Sequence, residues 1–395
     1  MCIALKSALM LVTRVIDAIH PRLNLHLLRT ALISYKLSLA LNLPAQQQKT
    51  IFLAALLHDI GLLGDKRRID SLNAIDNPRD PHQHRGAEML DGLDSFTLIR
   101  PIISDHHFNQ QHKGNLEQHI VYFADGFERL LPAQGLVAPD HQQQLVSQFI
   151  AGYREIDPPL CDALSQLAQQ PTFWRHMQAE HIQRLLEIVG PINDVYIDID
   201  GLKDICLLIA KIVDTYSSFT ASHSIMVGEI SYALATYMSL PLLACRKIEI
   251  AGYLHDIGKI YIPLTILEKQ GELNDDETQQ IREHSYMTGE ILRDFTDLAE
   301  IIDWAANHHE KLDGSGYPLN LDHRYLHLPD RIIAIADIFT ALVEDRPYRP
   351  GMSYLEALQL IEADVINGAL DNDVYLVLRQ HAQALHHLVT RTPLA

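Results

Sequence analysis

Shifted by 197 positions, this 395-residue chain matches its own second half. Asp17 falls on Asp214 and His26 on His223, Ile33-Ser34-Tyr35 on Ile230-Ser231-Tyr232, and Leu43-Pro44 on Leu240-Pro241. His58-Asp59-Ile60-Gly61 then falls on His255-Asp256-Ile257-Gly258, in a register that runs without a gap for about 45 residues. At an offset of 202, His82 meets His284, Glu88 meets Glu290 and His106-His107 meets His308-His309. At an offset of 212, residues 120–125 meet residues 332–337, which places Asp125 on Asp337. A self-match of this length restricts the chain to two tandem copies of one domain, each closing its own core. The repeat predicts domains over 1–195 and 196–395. Residues 138–190 complete the first, and the segment from Gly190-Pro191 to Gly201 joins them.

Both copies read as helical. Apolar residues recur at i, i+3, i+4 over 203–214, 224–238, 242–254, 277–293, 298–307 and 329–343, and alternating strand patterns are nearly absent. The expected class is all-α, two helical bundles in series. Breakers separate the stretches at Leu240-Pro241, Pro263, Asp313 to Pro318 and Pro347 to Gly351. Residues 1–20 read as the first helix of a domain and not as a signal sequence, since no small-residue cleavage site follows. Charged residues interrupt every apolar run before the roughly 20 residues that a bilayer span needs.

Charge narrows the partners. With 32 Lys+Arg against 50 Asp+Glu the net charge is −18, which argues against duplex nucleic acid and anionic membrane as partners. A phosphate-bearing ligand must therefore be met by local cations. Four cysteines without C-x-x-C spacing suit a reducing compartment, and the expected location is the cytoplasm.

The chain has 22 histidines, and their placement carries the chemistry. In the second copy His223, His255, Asp256, His284, His308, His309 and Asp337 fall at expected helix ends or inward faces, a donor set suited to a pair of first-row transition ions. Asp256 beside His255 suits a carboxylate bridging two ions. This gives His223, His255, Asp256 and Asp337 to one ion, and Asp256, His284, His308 and His309 to the other. A lone histidine is more often a hydrogen-bonded or surface residue than a ligand. Seven ligand-type residues at matched places in two copies argue differently.

His255-Asp256-Ile-Gly-Lys259, then His308-His309-Glu310-x-x-Asp313-Gly-Ser-Gly-Tyr-Pro318, Asp337 and Arg346-Pro-Tyr-Arg349, resemble the HD-GYP family of the HD phosphohydrolase superfamily over about residues 203–390. The resemblance implies a helical bundle holding two divalent metal ions, iron or manganese, with nickel, cobalt or zinc as alternatives. It implies hydrolysis of the 3′–5′ phosphodiester of a cyclic dinucleotide to a linear 5′-phosphorylated product, with the seven residues above as ligands. Within that reading Asp256 and Lys259 are catalytic. Lys259 sits near a non-bridging oxygen or protonates the leaving group, and Arg346 and Arg349 offer forked donors to phosphate. Gly314 lets backbone approach the ligand and Tyr317 stacks on a base. The Gly-Tyr-Pro loop is a candidate docking point for a signalling protein. Tandem architecture without a receiver domain is similar to phosphodiesterases acting on 3′3′-cGAMP, with c-di-GMP the alternative substrate. A receptor or scaffold that binds a dinucleotide without cleaving it, and an HD hydrolase of another nucleotide, are the rival readings. Family members with three metals carry a glutamate four residues before the first ligand histidine. Phe219 stands there, so two ions are expected.

The first copy keeps His26, His58, Asp59, His82, His106, His107 and Asp125, with His84 an alternative to His82, as a second candidate metal site. It loses the rest. Leu62 replaces Lys259, the Gly-Tyr-Pro loop is deleted, and Gln134 and Val137 replace the two arginines. The expected role of this copy is structural or regulatory, docked on the catalytic one.

Overall fold

The computed structural model describes residues 2–63, 81–107, 114–153, 157–182, 190–216, 222–345 and 349–391. The chain divides into two compact units. One is Ala4–Tyr196, and the other is Ile197–Ala395 together with the first three residues. The two-residue strands Ile3–Ala4 and Tyr196–Ile197 form the only sheet among the described residues.

The N-terminal unit contains α1 (Leu5–Ile19), α2 (Pro21–Ala40), α3 (Ala45–Leu57), α4 (His82–Met89), α5 (Arg100–Ser104), α6 (Leu116–Glu128), α7 (Pro139–Tyr153), α8 (Pro158–Ala168) and α9 (Pro171–His176). Helix α2 is central, packing on α1, α3, α6 and α8. It starts where it does because Pro21 has no N–H to lose and the His20 side chain accepts from Leu23 N. Leu23, Leu27, Ala31 and Leu32 are fully buried along it. Each such leucine contributes about 1.5–3 kcal/mol by leaving water. Asn115 and Gln118 form a reciprocal capping box at the start of α6.

The C-terminal unit contains α10 (Ile199–Tyr216), α11 (His223–Tyr237), α12 (Leu242–Leu254), α13 (Leu264–Leu267), α14 (Asp275–Leu292), α15 (Ala299–Ala306), α16 (Leu328–Val343), α17 (Tyr354–Ile366) and α18 (Asn372–Arg391). Helix α11 packs on α10, α12, α16 and α18, and α15 lies against α12, α14 and α16. Capping boxes at Asn274/Glu277, His327/Asp330 and Ser353/Glu356 fix the starts of α14, α16 and α17. Among the described residues, no helix is long and apolar enough to cross a membrane.

Candidate metal centres

In each unit the His-Asp pair sits where a helix stops. The last carbonyls of a helix lack intrahelical N–H partners, so a residue at the C-terminus can take one with its side chain. His255 caps α12 and its Nδ1 donates to Gly252 O at 2.7 Å. His308 follows α15 and donates to Ala305 O at 2.7 Å, and within α14 His284 donates to Ile281 O at 2.5 Å. A carbonyl only accepts, so Nδ1 carries the proton in all three and Nε2 keeps a lone pair, the tautomer a metal requires.

These lone pairs converge. His284 Nε2 and His308 Nε2 stand 3.2 Å apart, and His255 Nε2 lies 3.2 Å from Asp256 Oδ2 yet makes no hydrogen bond. Acceptors facing acceptors inside a core are reconciled by a cation between them. With metal–nitrogen bonds of about 2.1 Å, neighbouring ligands stand about 3 Å apart. Asp256 turns Oδ1 to His284 at 3.4 Å and Oδ2 to His255 and, at 3.7 Å, to His223. Asp337 Oδ1 lies 3.1 Å from His223 Nε2, and Asp337 Oδ2 lies 3.7 Å from His309 Nδ1. All seven candidate ligands of this copy therefore come together. Six are buried and His309 is half-buried. The donor set fits two divalent transition ions.

The electrostatics favour the same forms. Burial, then neighbouring His309 and His255, hold His308 well below its ordinary value, and burial takes His284 down to about 3. Both are neutral at pH 7, the form a metal requires. Burial by itself would raise Asp256, but the neighbouring His255 and Lys259 outweigh it and hold the carboxyl well below the usual carboxylate range. His223 differs. Burial would lower it, yet Asp337 and Glu344 push it up to about 10.

Of the residues expected to meet phosphate, Lys259 lies in the turn after Asp256 and its Nζ donates to Asp256 Oδ2. Arg349 Nη2 donates to Ala341 O at 3.0 Å, one turn beyond Asp337. Arg346 and Phe219 lie outside the described residues. Gly314 sits at φ +78° in the turn of the loop. Tyr317 is half-buried, its ring centroid 4.7 Å from that of His309, and the exposed Arg282 lies 5.3 Å over it. Arg282 thus brings a guanidinium to the loop that sequence spacing did not single out.

The N-terminal unit repeats the cage. His58 caps α3 and donates Nδ1 to Ala55 O, and His106 follows α5 and donates to Ile103 O, both at 2.7 Å. Asp59 Oδ1 faces His82 at 3.2 Å and His106 at 3.3 Å, while Oδ2 faces His26 and His58 at 3.5 Å each. His107 closes the first half and Asp125 the second. His84 is exposed beside Ser104, so His82 is the residue that faces Asp59.

Two carboxylates also escaped sequence reasoning. Glu128 takes His26 Nδ1 at 2.5 Å, and Glu344 takes His223 Nδ1 at 3.2 Å. The glycine of each His-Asp-Ile-Gly run also has a steric reason. A Cβ on Gly61 would lie 2.0 Å from His82 O, and one on Gly258 2.0 Å from His284 O. The turn after the His-Asp pair runs directly against the backbone that carries the next ligand.

Known proteins share these features. The HD domain family matches residues 25–130 and, in a second form, residues 207–374. The 3′3′-cGAMP-specific phosphodiesterase 1 of Vibrio cholerae is 29% identical over 404 residues, covering 97% of this chain and 93% of that protein. The 3′3′-cGAMP-specific phosphodiesterase 3 of the same organism is 32% identical over 245 residues, 60% of this chain and 52% of that one. A cyclic di-GMP phosphodiesterase of Pseudomonas aeruginosa is 36% identical over 162 residues, 41% of this chain and 39% of that one. The crystal structure of a cyclic GMP-AMP-specific phosphodiesterase of V. cholerae superposes with a TM-score of 0.56 at 22% identity, covering 97% of this chain and 98% of the other, which supports the shared tandem fold.

Proposed function

Because this chain belongs to the HD-GYP family of HD-domain cyclic dinucleotide phosphodiesterases, we propose that its C-terminal unit cleaves the 3′–5′ bond of 3′3′-cGAMP to a linear 5′-phosphorylated dinucleotide. One observation carries the reading: Asp256 offers one carboxylate oxygen to each half of a histidine cage, with Lys259 on Oδ2, the oxygen that faces His255 and His223. Bound there, a pair of divalent ions supplies an activated water and neutralises a phosphate under in-line attack. Iron or manganese suits the imidazole-rich set with bridging carboxylate.

The chain's own residues do the rest. Lys259 Nζ holds a proton beside the cage and can pass it to the departing 3′ oxygen, or stay and balance charge on a non-bridging oxygen. Arg349, tied to the helix of Asp337, and Arg282, over Tyr317, bring guanidiniums to the dinucleotide phosphates. Leu319, 62% exposed beside the loop, supports a protein-docking role for that surface. The N-terminal unit, with Leu62 in place of the lysine and no Gly-Tyr-Pro loop, serves a structural or regulatory role.

Incubating the purified protein with Mn²⁺ or Fe²⁺ and, separately, 3′3′-cGAMP, c-di-GMP and c-di-AMP tests the reading. Fastest conversion of 3′3′-cGAMP, with the product identified by mass, is expected. Stoichiometric binding with every ligand left intact overturns it in favour of a receptor.

A further inference from the structure

The two cages differ in what holds their second carboxylate. In the N-terminal unit Arg129, one turn beyond Asp125 on the same helix face, donates Nε to Asp125 Oδ1 at 2.9 Å and pairs Nη2 with Oδ2 at 2.8 Å. Oδ1 is the oxygen that faces into the cage, 3.2 Å from His26 Nε2 and 3.7 Å from His58 Nε2. The guanidinium is planar, faces both carboxylate oxygens and is only 13% exposed, so it holds its place where a flexible ammonium would swing. Behind His26, Glu128 pairs with the buried Arg29 at 3.3 Å. In the repeat register Met226 stands opposite Arg29 and Ala341 opposite Arg129, so neither arginine has a counterpart at its aligned position in the second copy.

The halves of the N-terminal cage are therefore unequal. The half built from His26, His58, Asp59 Oδ2 and Asp125 already contains a fixed positive charge. The other half is built from Asp59 Oδ1, His82, His106 and His107; in each half the four ligand atoms lie within 4.8 Å of one another. There the Nε2 atoms of His106 and His107 and Asp59 Oδ1 receive no hydrogen bond.

We propose that the N-terminal cage is a mononuclear metal site. The Arg129 guanidinium stands in for one cation of a pair, and a single divalent transition ion is held by Asp59, His82, His106 and His107. Three imidazoles and one carboxylate suit such an ion over magnesium or calcium. With one ion the cage lacks the paired clamp on attacking and leaving oxygens. The inference concerns this unit alone and stands whether or not the other unit hydrolyses a dinucleotide.

The test uses the full chain with the C-terminal cage emptied by His255→Ala/Asp256→Ala, loaded with Mn²⁺ alone and read by elemental analysis and electron paramagnetic resonance. One ion per chain with an uncoupled manganese spectrum is expected. Adding Arg129→Met should raise the content to two ions and give the spectrum of a coupled pair. No bound ion, or two coupled ions with Arg129 intact, overturns the proposal. Should either variant fail to fold, Mn²⁺-loaded wild-type crystals decide it. A single anomalous peak beside His106 and His107 supports the site, and a second peak between His26 and Asp125, or no peak in this unit, defeats it.

Discussion

Glu344 accepts the Nδ1 proton of His223 at 3.2 Å from seven residues beyond Asp337, whereas Glu128 serves His26 from only three residues beyond Asp125. Positions three and seven lie on one helix face, so the same orienting carboxylate is reached from successive turns. Ser222 Oγ donates to the other oxygen of Glu344 at 3.0 Å and keeps the carboxylate in place. Glu344→Ala removes the group that fixes the tautomer and ring orientation of a ligand. The loss expected for such a change is about 10–100-fold in metal affinity. Glu344→Gln, which still accepts the proton but carries no charge, should fall between. Competitive chelator titration of the two variants and the wild type measures the series, and an unchanged affinity in Glu344→Ala would remove Glu344 from the site.

Gly258 makes a second prediction, because its backbone leaves no room for a side chain against His284. Gly258→Ala places a methyl 2.0 Å from a carbonyl oxygen, which no rotamer relieves. Overpacking of this kind costs about 1–3 kcal/mol and here also displaces a ligand, so both thermal stability and metal content should fall. Gly289 is the control. It lies inside α14 with its virtual Cβ 3.5 Å from Ala306 Cβ, an ordinary contact, so Gly289→Ala should stabilise by about 0.5–1 kcal/mol with metal content unchanged. Equal behaviour of the two variants in thermal melts would refute the close-approach argument.

These two sites mark what sequence could and could not reveal. The side chains that gather in the two cages were legible because histidines and aspartates recur in register, and the helices because their apolar residues keep a 3.6-residue period. Glu344 was hidden. Aligned by position, Glu128 falls on Thr340, which is buried but uncharged, and the role had moved one turn along the helix. Only helix geometry joins the two carboxylates. Gly61 and Gly258 are visible as a repeated glycine, yet their reason is a contact with backbone more than twenty residues away, which no local pattern encodes. Arg129 was missed for a similar cause, since an arginine near the end of a helix reads as solvated until its fork is seen on Asp125.

Asp214 makes a prediction about pH. It is buried, accepting from Ser224 Oγ at 2.7 Å and from Ser224 N at 3.2 Å. Burial raises its carboxyl to about 8 against the smaller opposing effect of the Ser224 hydrogen bond. The unfolded chain has an aspartate near pKa 3.9, so the folded value is the higher one. The bound proton therefore stabilises the fold fully below about pH 4, and the contribution is lost as pH rises through about 8. An asparagine side chain in its place is neutral at every pH, and the Ser224 hydroxyl can reverse to accept from the new amide. The melting temperature of Asp214→Asn relative to wild type should climb between about pH 5 and about pH 9. A difference that stays flat over that range would show that Asp214 does not take up a proton on folding.

The last prediction sets Lys259 against Leu62, the residues at one place in the two copies. Lys259 Nζ lies on Asp256 Oδ2 with its side chain 21% exposed, so the ammonium can leave the carboxylate for a substrate oxygen without being stranded in the core. No ligand bond is lost in Lys259→Ala. Metal content should stay near wild type while kcat falls by about 10²-fold or more, the range for losing a group that delivers a proton or balances charge in the transition state. Leu62 is fully buried, by contrast, packed in the 3-10 turn after Asp59. A lysine there would have to bury its stem among apolar neighbours, and it would meet a cage whose outer carboxylate Arg129 already holds. The first copy also lacks the Gly-Tyr-Pro loop and both arginines that would grip a phosphate. Leu62→Lys should therefore lower stability and create no hydrolysis in a chain whose C-terminal cage has been emptied. Turnover appearing in that variant would show that the lysine alone separates the two copies, and that the loop and the arginines are dispensable.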